Sequence, residues 1–197
     1  MVYTISFNLL GIFLFLFLFW KRLKEDYSSD IVFSSSFYIL AALGVFAGIS
    51  FKFLPLWWFW FSLLGIALGL GISFFRFHLR TYETLEVTVL SFLPWLSLLF
   101  LSDSINSYSI ISFVAFALCL VLIFIFYFLD MHYKNFSWYR SGKVGFTGLT
   151  VLGIFFLIRA ALAIPFHTVL SFVGTAEVYI SAVLSFICFV LVLNLSR

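Results

Sequence analysis

Apolar residues in this chain form long unbroken blocks, and polar residues gather in short clusters between them. A helix that crosses the hydrocarbon core of a bilayer needs about 20 apolar residues. Seven blocks meet that pattern and predict helices over about 4–20, 32–50, 55–75, 86–101, 108–129, 144–164 and 178–195. The fourth block is the shortest and most polar and contains Pro94; the sixth contains Arg159. The blocks do not alternate with period two, which argues against a transmembrane barrel. The expected fold class is therefore all-α, a polytopic transmembrane helical bundle forming one integral membrane domain over 1–197.

Composition narrows the class further. Of 197 residues, 64% are hydrophobic and 10% charged, and the mean hydropathy is +1.21. A soluble domain is roughly 45–50% apolar and about 25% charged, so this chain cannot cover itself with polar surface. Disorder is excluded by the same figures. Cys119 and Cys188 sit inside apolar blocks and read as small core residues. The first block runs into Lys21-Arg22 without a small-residue cleavage site, so it reads as a retained helix.

Charge adds an orientation. Alternate linkers hold Lys21, Arg22, Lys24, Arg76, Arg80, Lys134, Arg140, Lys143 and Arg197, nine cations, while the others hold Lys52 alone. By the positive-inside rule, the N-terminus lies outside and the C-terminus in the cytoplasm of a cell (inner or plasma) membrane. An odd number of spans, such as seven, satisfies both.

Several residues carry candidate chemistry. Gly44 and Gly48, and Gly65 and Gly69, are four apart, as in helix faces that approach closely in lipid. Gly153 adds a small residue to the sixth span. Arg159 lies within a span, near its outer end, where a charge is costly and is either an anchor that reaches the headgroups or a binder of a lipid headgroup. Glu177 opens the seventh span, where negative charge suits a helix N-terminus. His167 lies between them, and Asp103 ends the fourth span. Together Arg159, Glu177, His167 and Asp103 are candidates for an outer pocket. Arg159 and Glu177 should face one another, since consecutive helices usually pack side by side; Asp103 is the competing partner. The tryptophans Trp57, Trp58 and Trp60 suit an interfacial belt. The basic-aromatic stretch FRFHLR suits an anionic leaflet and is too short for a nucleic-acid site.

No HExxH, CxxC pair, phosphate-binding loop, GxGxxG or GxSxG occurs, so no metal or cofactor is expected. No buried carboxylate series marks a proton relay, and no internal repeat marks a transporter.

Three stretches carry a resemblance. FNLLGIFLFLFLFWKRLKEDYSSDIVFSSSFYILAALGVFAG, FSLLGIALGLGISFFRFHLR and SGKVGFTGLTVLGIFFLIRA, with Gly142 before the span and Gly153 within it, resemble regions of the prolipoprotein diacylglyceryl transferases. Those are seven-span bacterial inner-membrane enzymes with an outside N-terminus. The resemblance implies phosphatidylglycerol as lipid donor, a prolipoprotein as acceptor, and a role in lipoprotein biosynthesis. It implies a cation near the outer leaflet to hold the donor headgroup, for which Arg159 is the available intramembrane residue. The family's His-Gly-Gly falls near Phe61–Gly65, where no histidine stands, and FLSDSINS occupies the place of its Gly-Arg-x-Gly-Asn. Its second-span arginine falls near Ser50, and its late arginine and glutamate near Phe156 and Ala160. Catalytic residues therefore stay unassigned. The expected function is that of a reduced relative with changed or lost transferase activity. The alternatives are a non-catalytic lipid-binding or partner-binding membrane protein and, behind it, a small transporter.

Overall fold

A computed structural model describes residues 2–133, 139, 144–165 and 171–196. Seven α-helices account for most of them: α1 Val2–Leu23, α2 Ser29–Phe53, α3 Trp58–Phe77, α4 Thr81–Ser107, α5 Ile110–His132, α6 Phe146–Ala163 and α7 Thr175–Ser196. A 3-10 turn, Pro55–Trp57, leads into α3, and no strand occurs among the described residues. All seven are long and apolar enough to cross a membrane, so the chain is a multi-pass membrane protein built as a helical bundle.

The fourth helix departs most from expectation. The sequence reads as a short span over 86–101, yet α4 has 27 residues and is the longest helix. Its hydroxyls explain why. Thr84, Thr88 and Ser91 donate to the carbonyls of Arg80, Thr84 and Val87, and Ser97 donates to the carbonyl of Pro94. Polar side chains that bond their own helix need no water. The helix continues through Pro94. Its polar positions are buried because α4 occupies the centre, packed against α1, α5 and α6. The more apolar α5 has most of its length facing outward.

Two hairpins flank this centre, α2 with α3 and α6 with α7. Glycines set the first. A Cβ on Gly65 would stand 2.9 Å from the Ala42 carbonyl oxygen, and one on Gly69 would stand 2.6 Å from the Ile39 Cα. Both atoms belong to the α2 backbone, which cannot yield as a side chain can. Gly153 faces side chains of α7 instead: a Cβ there would stand 3.1 Å from the Phe189 ring and 3.3 Å from the Cys188 Cβ. Gly44 and Gly48 do not take part. They lie on the outward face of α2 with no atom within 4 Å of a Cβ position. The one-turn spacing defines a face, and the neighbouring positions on α2 decide whether that face or its opposite meets α3.

At the end of the bundle where α4 begins, ion pairs tie three helices and a hydrogen bond adds a fourth. Arg22 of α1 bonds Asp130 of α5 at 2.9 Å and lies 3.8 Å from Glu86 of α4. The other Glu86 oxygen accepts the Gly145 N–H at 2.8 Å, placing negative charge on the open N-terminus of α6. Burial pushes the nearby Tyr133 phenol above its ordinary value, and Glu86 and Asp130 push the same way.

Candidate functional site

The other end of the bundle holds Arg159 and Glu177. Arg159 lies one turn before the end of α6, and Glu177 is in the first turn of α7. Because α6 and α7 pack as neighbours, the two side chains meet at one depth. Arg159 Nε donates to Glu177 Oε1 at 2.9 Å, and Nη2 lies 2.8 Å from the same oxygen. Nη1 donates to Ser171 Oγ at 2.9 Å, and Nη2 to the Ser171 carbonyl at 3.0 Å. Glu177 is equally engaged: Oε2 accepts from the Trp60 indole at 2.9 Å and Oε1 from Ser181 Oγ at 2.8 Å. Arg159 is 4% exposed and Glu177 0%. The guanidinium carbon sits 3.7 Å from the Phe59 ring centroid, where the ring quadrupole adds attraction.

This geometry uses four residues that the sequence pattern did not single out as partners. Ser181 carries a usable signal, since it follows Glu177 by four and so shares its helix face. Ser171 and Phe59 carry none. Trp60 corrects an expectation: it is buried against Phe156, with its N–H on Glu177, rather than lying in an outward interfacial belt. Trp57 and Trp58 are half-buried.

The remaining candidates stand apart or out of view. Asp103, at the end of α4, accepts from Ser112 of α5 and does not join Arg159. His167 lies outside the described residues, as do Lys134, Arg140, Gly142, Lys143 and Arg197.

Beside the ion pair is a cavity of about 260 Å³ between α4, α5 and α6. Phe100 comes from α4, Val114, Leu118, Cys119 and Leu122 from α5, and Phe155 and Ile158 from α6. Arg159 is its one charged wall residue among the described residues. Ile110 and Val114, also in its wall, are exposed on the outside of α5, so the cavity reaches the lipid-facing surface. Cys119 and Cys188 are both buried and unpaired. No group of three or more metal-ligating side chains occurs among the described residues.

Chemically, the arrangement offers an apolar recess with a neutralised cation at its edge. Four of the five arginine N–H donors have partners among the described residues, and the carboxylate has its own donors. The chain matches no family model, no curated protein and no solved structure.

Proposed function

We propose that this protein is a non-catalytic, lipid-binding membrane protein whose cavity beside Arg159 receives one acyl chain. The observation that carries this reading is the cavity itself. It is walled almost wholly by hydrocarbon and reaches the lipid-facing side of α5. At about 260 Å³ it exceeds the roughly 150 Å³ apolar cavity known to take up benzene while staying dry. Arg159 supports a structural more than a headgroup role, because Glu177 neutralises it and Ser171 occupies its other edge. The bound lipid is then a phospholipid selected by its chain; phosphatidylglycerol is one candidate and gains little from this cation. The charge asymmetry supports a site near the outer leaflet, with the N-terminus outside.

The test is lipid retention. Protein purified in mild detergent should carry lipid in native mass spectrometry. Ala115→Phe, which fills the cavity wall, should release it while the helical circular dichroism stays intact. Retention unchanged in Ala115→Phe would overturn the reading. The resemblance to diacylglyceryl transferases supplies the opposing arm. Purified protein that transfers diacylglycerol from phosphatidylglycerol to a lipobox peptide would show a catalyst rather than a binder.

A further inference from the structure

Along the outward side of α3 runs a shallow groove of about 500 Å³, lined by Leu68, Gly71, Ile72, Phe75 and Arg76. We propose that it binds an anionic phospholipid, one acyl chain lying over Gly71 and the headgroup phosphate seated on Arg76. This site is separate from the Arg159 cavity. Trp60, which reaches Glu177, and Arg76 are 16 residues apart on one helix, or about 24 Å at 1.5 Å per residue. A lipid at Arg76 therefore belongs to the opposite leaflet.

Shape and charge converge here. Leu68, Ile72 and Phe75 follow one another at helical spacing on a single face, and Phe75 is 88% exposed. Between them Gly71 leaves a gap: a Cβ there would meet nothing within 4 Å. The result is a trough walled by apolar side chains inside a membrane-spanning helix, which suits a hydrocarbon chain. At its end stands a guanidinium in the last turn of α3. The other described arginines at this end are engaged, Arg22 with Asp130 and Arg80 with Glu83. Arg76 makes no ion pair among the described residues, and it is exposed. A cation at a helix C-terminus is favourable without any ligand. The trough that leads to it is what adds a lipid chain, and the planar fork matches phosphate oxygens.

The experiment uses the full chain in mixed micelles with dioleoyl-phosphatidylglycerol or dioleoyl-phosphatidylcholine, whose acyl chains are identical. Native mass spectrometry counts the lipids retained. Phosphatidylglycerol should be retained in preference. Arg76→Gln should weaken its retention about fivefold, the effect of one cation at an anionic surface, and leave phosphatidylcholine unchanged. Gly71→Leu should fill the trough and lower retention of both lipids at unchanged helicity. Lys21→Gln removes an exposed cation at the same end, outside the groove, and should change neither. Equal retention of the two lipids by the unaltered protein would overturn the proposal. So would a loss in Lys21→Gln as large as in Arg76→Gln, which would mean diffuse attraction. A dimer that dissociates on Gly71→Leu would assign the groove to a second copy instead, and would overturn it too.

Discussion

Arg159 concentrates the energetics of its end of the bundle into one side chain. Its guanidinium is removed from water and held by a carboxylate, a serine and an aromatic ring. Breaking a buried pair by removing one partner costs about 3–5 kcal/mol, because the other charge is stranded. Arg159→Ala should therefore lower the thermal midpoint in detergent sharply, and Glu177→Ala should do the same. The double variant should lose much less than the sum, since neither charge is then left alone. A thermal-shift series on the three variants measures this; additive losses would contradict the pairing. The pair was legible in the sequence because a charge inside an apolar block must find a partner, and Glu177 stood at the matching depth. Trp60 was not legible. Nothing in a cluster of three tryptophans says which one turns inward, and only the proximity of α3 to α7 puts its N–H on the carboxylate.

Between helices, glycines act through the backbone they face rather than through their spacing. Gly65 and Gly69 are pressed against the main chain of α2, whereas Gly44 and Gly48 touch nothing. The two motifs share one glycine spacing and are opposite in consequence. Gly69→Ala should destabilise the α2–α3 hairpin by about 1–3 kcal/mol, the usual range for overpacking a close contact. Gly48→Ala should be neutral or slightly stabilising, because alanine favours helix and has room. Chemical denaturation of both variants compares them directly. A larger loss from Gly48→Ala would mean that its face is covered in the membrane by something other than lipid. The same limit applies to α4: its polarity shortened the expected span, because hydropathy counts a hydroxyl as wet even where it bonds its own helix.

For the molecule as a whole, seven helices are long enough to span a membrane, and the nine-to-one asymmetry of cations predicts which way they run. Reporter fusions after Lys24 and Ser104 should read inside and outside, respectively; the reverse would invert the leaflets assigned to both lipid sites. The helix count was readable from the apolar blocks, since all but the short fourth come near the length that a bilayer demands. Which helix sits at the centre was not, because the blocks carry no information about which neighbours they meet.

That central position of α4 bears on how the protein is made. A nascent helix enters the bilayer one segment at a time, and it is judged first by its own affinity for lipid. Segment α4 carries Glu86 and a series of hydroxyls that find their packed surroundings only once α1, α5 and α6 are beside it. Of its principal neighbours, α1 is already in place when α4 emerges, but α5 and α6 are not. The Glu86 carboxylate must wait longest, because its N–H donor belongs to α6. In a bundle made in chain order, the helix destined for the centre is thus one whose partners α5 and α6 arrive after it.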